Sequence, residues 1–241
     1  MPDRSIFNIS DGSQSSSAPL IPPHPMPECA QDFSTRVTGL LDGKAKDDAA
    51  VADALKGMDA MLDALAAGMY SLASMLVGEG EEGVRLVETA VATAEVSACQ
   101  DVAEARKSSR RALVKAALAV LDRRCPGCMK APATVEPAGS CIEDDDLEAA
   151  GVSRDELERM IAGPDRDRVR VWLAKLAPVV RTVFVLRAVA GFSAAETAGL
   201  LAEHGGPRAE GWTADGVRMV FRQGLCSLAS QLLRAGTKSS S

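Results

Sequence analysis

The chain has 241 residues, 46% hydrophobic and 25% charged, with a formal net charge of −6. That mix excludes a collagen-like, coiled-coil-only or wholly disordered chain. Aromatics are only 3%, so the core must come from Ala, Leu, Val and Met; Ala and Leu head the helix-propensity scale, strand-length Val/Ile clusters are scarce, and an all-α fold is expected.

In chain order, residues 1–30 are rich in Ser and Pro and cannot bury enough apolar surface to offset their ordering entropy, so a disordered tail is expected. From Asp47 to Val77 the apolar residues Val51, Leu55, Met58, Leu62, Leu65, Met69, Leu72 and Leu76 recur at steps of three and four. Such steps keep them on one helical face. Gly78 and Gly80 end that run. A second helix fits Glu82 to Val96, and a third fits Asp101 to Arg123. The three predict a small antiparallel bundle over residues 31–124.

Residues 125–152 hold Pro126, Gly127, Pro132, Pro137 and Gly139, then the acidic run Glu143-Asp144-Asp145-Asp146. This composition predicts a flexible interdomain linker. The acidic run lacks the spacing and glycine of a calcium loop; it reads as a solvated charge run that also keeps the linker off DNA by repulsion.

The last region, 153–235, predicts closely spaced helices. Ser153 with Asp155 and Glu156 caps a short helix to Ala162. Asp167–Leu176 is the next. Pro178 opens a helix to Val189, and Gly191 stops it. Ser193 with Glu196 forms a capping box for a helix to Glu203. Thr213 opens a final helix from Ala214 to Leu233, with a frayed end from Gly236. From Asp165 onward 11 Lys/Arg stand against 6 Asp/Glu, a net of +5, while the remainder carries 16 against 27, a net of −11. A basic C-terminal third on an acidic body points to a partner. A short capped helix, a connection, and a second helix with basic residues near its start is the helix-turn-helix layout. An ordinary helical bundle shares that spacing. In the DNA-binding reading Thr213, Arg218, Arg222 and Gln223 face DNA, and Val217, Val220, Phe221 and Leu225 anchor the helix.

The segment LAPVVRTVFVLRAVAGFSAAETAGLLAE resembles the start of the fourth domain of bacterial sigma-70 family factors, the DNA-binding subunits of RNA polymerase. The resemblance is carried by Leu176 to Pro178, Arg181 to Arg187, Gly191-Phe192-Ser193, and Glu196-Thr197-Ala198 before Leu200-Leu201. TADGVRMVFRQGLCSLASQLL then resembles the recognition helix, with Thr213 as cap and Arg218 at the basic position. More faintly, MYSLASMLVGEGEEGVRLVETAVATA is similar to the second domain of that family, through Met69 to Leu76, Gly78 to Glu82 and Leu86-Val87-Glu88. Two such domains and an acidic linker match the compact extracytoplasmic-function branch. The resemblance implies a transcription initiation factor. Its partners would be core RNA polymerase, bound through Leu86, Val87 and Glu88, promoter DNA, and an anti-sigma protein as a regulator. Arg181 and Arg187 would set the field or touch phosphate or polymerase.

Two departures qualify that expectation. Between Ser71 and Val171 there is no aromatic residue, whereas the family captures unpaired bases in melting, where stacking on a ring is worth about 1–3 kcal/mol per base. The third helix offers Arg106, Lys107, Arg110, Arg111 and Lys115 instead. The second departure is the insertion His204 to Trp212, which either adds a contact through Arg208 and Trp212 or is an inert loop with Trp212 folded back as a lid. The alternatives to an initiation factor are a divergent regulator that does not melt DNA and an all-α protein-interaction module without DNA binding.

No Gly-rich phosphate loop, paired-carboxylate motif or nucleotide fingerprint occurs, so neither an enzyme nor a cofactor is expected; a pocket joining His204 with Glu203 or Cys226 would reopen the question. Cys125-Pro-Gly-Cys128 reads as a linker turn, a redox pair, or half a zinc site with Cys141 as third ligand and Cys99 or His24 as fourth; no metal is expected. Cys29, Cys99 and Cys226 read as small apolar fillers. The chain shows no apolar run of membrane-spanning length and no basic-then-apolar start, so a cytoplasmic location, no membrane partner and reduced cysteines are expected.

Overall fold

The computed structural model describes residues 66–94, 102–132 and 141–238, and among them there are eight α-helices and no strand. The expected tail, the first part of the Asp47 helix, His24, Cys29, Cys99 and residues 133–140 of the expected linker lie outside the described residues.

Helix α1 spans 66–77 and buries Met69, Leu72, Ala73 and Leu76 on the face the sequence spacing marks. It stops at Gly78, whose φ of 98° suits a residue without a side chain. Helix α2, Glu81–Thr93, starts with Glu81 and Glu82 at its positive dipole end and turns Gly83, Leu86 and Ala90 inward. Helix α3, Val102–Arg124, runs along α2 and buries Leu113, Val114, Ala117, Leu118 and Leu121. Arg124, at the end of α3, donates to the Val77 carbonyl at 2.6 Å and pairs with Glu82, which fastens α3 to the α1–α2 turn.

Of the two described stretches of the expected linker, 125–132 and 141–152, the second is packed against the protein. Ile142, Leu147, Ala150 and Val152 are all buried. Asp146 caps a single 3-10 turn, Glu148–Ala150, by accepting from the Ala149 amide at 2.8 Å. Composition alone suggested a free chain; the four apolar residues between the acids are what dock it.

Helix α4, Arg154–Ala162, opens on the Ser153–Glu156 capping box. Helix α5, Arg166–Lys175, follows after Gly163, and α6, Pro178–Phe184, begins with proline at its first turn. Where the sequence predicts α6 continuing to Val189, residues Val185–Val189 form a π turn, with the Ala190 amide on the Val185 carbonyl at 2.9 Å. Helix α7, Ala194–His204, carries the Ser193–Glu196 capping box, and α8 runs Ala214–Lys238, through Gly236 where a frayed end was expected.

The core of α5, α6 and α8 is aromatic. Trp172 meets Phe184 edge-on at 5.0 Å between centroids, and Phe184 lies 5.7 Å from Phe221. The Trp172 indole also donates to the Ser227 hydroxyl at 2.9 Å. Gly224 lets α8 approach α6, since a β-carbon there would sit 2.9 Å from the Phe184 ring. One continuous hydrophobic cluster extends from Met69 to Leu228. Polar contacts span it as well: Arg110 on α3 donates to the Ala190 carbonyl at 3.1 Å, Lys107 reaches Glu196 at 2.6 Å, and Arg170 on α5 pairs with Glu79.

Candidate nucleic-acid interface

Helix α8 begins with Thr213, whose hydroxyl accepts from the Gly216 amide at 3.1 Å and so satisfies one of the free donors of the first turn. Val217, Val220, Phe221 and Leu225 are buried. Around the rest of the helix Arg218 and Gln223 are exposed and Arg222 is half-buried. The Nε of Arg222 has no hydrogen-bond partner. Thr213 itself is exposed, so the expected contact residues Thr213, Arg218, Arg222 and Gln223 belong to the first turns of one helix.

Arg218 is not free, however. It pairs with Asp215 at 2.5 Å, one turn back on the same helix, and its Nε lies 3.7 Å from Asp145. Asp145 also holds Arg187 at 3.1 Å. The π turn brings Arg187 to the inner side of the acidic segment, where it donates to the Phe192 carbonyl at 3.2 Å and lies over the Phe221 ring at 5.1 Å from the centroid. Arg187, expected to set the field or touch phosphate or polymerase, is engaged by these contacts inside the chain. Arg181 is half-buried, and desolvation, followed by the charge of Arg124, lowers its pKa from the ordinary value. Asp145 is the residue that sequence reasoning missed: the acidic run was visible, but nothing in it marks which carboxylate faces α8.

In the insertion, Trp212 is buried and its indole donates to the Met129 carbonyl at 2.7 Å, the folded-back arrangement. Arg208 is exposed, and its side chain lies across Gly127, where a β-carbon would come within 2.8 Å of Arg208 Cδ. The residues expected to meet polymerase separate. Leu86 is buried, Val87 is half-buried against the core, and Glu88 is exposed beside Val84 and Val91, both solvent-facing.

The cations of α3 turn toward α7. Glu196 receives both Lys107, at 2.6 Å, and Arg111, at 3.7 Å. Lys107 first and the Ser193 amide second hold the Glu196 carboxyl down to about 2. Burial lowers the pKa of Arg110, with Arg106 adding to the effect.

The cysteines overturn the expectation of reduced thiols. Cys125 pairs with Cys128, and Cys141 with Cys226, so all four described cysteines are disulfide-bonded. Cys226 is therefore no apolar filler, and Cys141, the third ligand in the zinc alternative, is joined to α8. No group of three or more His, Cys, Asp or Glu that could hold a metal ion occurs among the described residues. His204 lies 3.5 Å from its neighbour Glu203, and Cys226 is committed to its disulfide. No helix among the described residues is long and apolar enough to cross a membrane. Comparison with known proteins finds no matching family model, no matching curated relative and no matching solved structure.

Proposed function

We propose that the protein is a sigma-factor-like transcription factor that binds core RNA polymerase and reads promoter DNA with the first turns of α8. The observation carrying this reading is the division of α8. Val217, Val220, Phe221 and Leu225 fix the helix in the core while Thr213, Arg218 and Gln223 stay outside. A helix anchored on one side and offering Arg and Gln near its N-terminus suits a major groove, where Arg is bidentate to guanine and Gln to adenine. Helix α7, capped by its box, precedes it across the 205–213 loop, and the chain from Asp165 carries a net charge of +5.

The experiment is a pull-down of the full chain with core polymerase, paired with duplex-DNA binding by wild type and Arg218→Ala. If Arg218 reads a base, the variant loses about 1–3 kcal/mol and relaxes preference at one promoter position. Unaltered affinity and preference would remove α8 from the DNA interface. Absence of polymerase from the pull-down would favour an interaction module of another kind.

A second reading, a regulator that does not itself melt DNA, is favoured by α3. That helix has no ring, and Lys107, Arg110 and Arg111 are engaged with α7 and the Ala190 carbonyl. Two of the guanidinium groups otherwise suited to stacking on bases, Arg110 and Arg111, are thereby engaged, while Arg106 stays exposed. Run-off transcription from a pre-opened and a closed promoter separates the two readings: equal yields would reject the non-melting one.

A further inference from the structure

We infer that the Cys141–Cys226 disulfide is a redox-modifiable clasp that holds the acidic segment over the DNA-facing side of α8, and that a dithiol reductant opens it. This rests on the DNA-binding reading of α8.

The clasp is built from three observations. Cys226 lies on α8, one turn beyond Arg222, and its sulfur is bonded to Cys141, the first described residue of the acidic segment. Four residues past Cys141, Asp145 reaches Arg218 at 3.7 Å and Arg187 at 3.1 Å. Past Asp146, Leu147 is buried and the 3-10 turn Glu148–Ala150 rests on α8. The run Glu143–Asp146 is therefore pinned at both ends, by a covalent bond upstream and by apolar burial downstream. Asp145, held beside Arg218 within an acidic run, repels phosphate and occupies a cation that DNA would need. Like-charge juxtaposition of this kind is a strong deterrent to a wrong or premature partner.

Of the two ends only the disulfide can be switched. Cys141 is exposed and Cys226 half-buried, so the Cys141 sulfur is the one open to attack. One thiolate of the reductant attacks Cys141 Sγ; the bond to Cys226 breaks, and Cys226 leaves as a thiolate that takes up a proton. The second thiol of the reductant then displaces Cys141 as a thiol. Two electrons and two protons have passed to the protein, and the reductant departs as its own disulfide. What still holds the segment is the burial of Ile142, Leu147, Ala150 and Val152 and the Asp145 ion pairs, with its upstream covalent tie gone. The Arg218–Asp145 pair, at 3.7 Å on a solvent-facing arginine, is weak enough for a polyanion to outcompete.

The test uses the full chain and a fluorescent random-sequence duplex at low salt, titrated with oxidised protein and with protein reduced by dithiothreitol. Reduction is expected to tighten binding about fivefold, the equivalent of about 1 kcal/mol, with helicity by circular dichroism retained. Cys226→Ser and, separately, the exposed Cys141→Ser are expected to bind like reduced wild type under oxidising conditions, which excludes Cys125–Cys128 as the cause. Asp145→Asn is expected to tighten binding with the disulfide intact. Equal affinity in both redox states overturns the clasp and leaves the DNA-binding reading standing. Absence of binding in either state overturns both. Loss of helicity on reduction also overturns the clasp, because the bond is then a staple of the fold.

Discussion

The α1–α3 region and the α5–α8 region solve the same packing problem with different residues. The first has Tyr70 as its single described ring and is closed by Leu, Ala, Val and Met, with Ala73, Ala90 and Ala117 letting helices approach. The second is organised by Trp172, Phe184, Phe192, Trp212 and Phe221, all buried. Aliphatic contacts are numerous and interchangeable, whereas ring contacts have preferred geometry. The aromatic region can therefore hold a fixed surface for recognition, and the aliphatic one supplies a side wall against which it is braced.

The sharpest way to break that contrast is to remove one large side chain from each region. Phe184→Ala is expected to cost about 3–5 kcal/mol, because Phe184 touches both Trp172 and Phe221. Leu118→Ala, equally buried on α3, is expected to cost less, within about 2–5 kcal/mol, since only aliphatic volume is lost. Urea denaturation of both variants measures the order, and a larger loss at Leu118 would reverse the roles given to the two regions.

Next in size is Gly224→Ala. The added methyl meets the Phe184 ring, and overpacking of this kind costs about 1–3 kcal/mol. A neutral or stabilising result in the same denaturation assay would mean that α6 and α8 are not held at a fixed distance. Trp212→Phe keeps a ring but removes the donor to the Met129 carbonyl. A loss of about 1 kcal/mol is expected, with faster hydrogen exchange confined to 125–132 and 204–213. Exchange unchanged there would show that the insertion is not tied to the Cys125–Cys128 turn.

The smallest effect concerns the seam between the regions. Glu196 titrates near pH 2 where an ordinary glutamate titrates at 4.5. A carboxyl with a lowered pKa adds stability that is complete above about pH 4.5 and is lost as the pH falls toward 2. Glu196→Gln cannot ionise, so the stability gap between wild type and variant is expected to be widest above that window and to close below it. A gap that is flat from pH 6 to pH 2 would mean that Lys107 and Arg111 do not feel that charge.

Helices were legible where one strong local signal dominated. Ser153 and Ser193, each followed three residues later by glutamate, mark two helix starts to the residue, and Pro178 marks a third. The π turn was hidden, because Val185–Val189 has the apolar pattern of an ordinary helix, and the contacts of its Arg187 with Phe192, Asp145 and Phe221 are tertiary. The packing of 141–152 was hidden for a related reason. Ile142, Leu147 and Val152 are too widely spaced to show a period, and acidic residues dominate the local composition. Of the candidate interface, the cap Thr213 and the buried stripe of α8 were readable from spacing. Asp145 and Cys141, which meet Arg218 and Cys226, were not, since both lie on a segment whose contact with α8 is set by tertiary structure alone.

Joined at Cys141 and Cys226, the chain between them is a closed covalent ring with a sequence separation of 85. It contains α4 to α7 and the first half of α8. A protease that cuts once anywhere inside this ring severs a peptide bond but releases nothing: the two pieces still migrate together until a thiol is added. A cut in 129–132, past the Cys125–Cys128 ring and before Cys141, lies outside both rings and leaves no covalent bond between the fragments bearing α3 and α8.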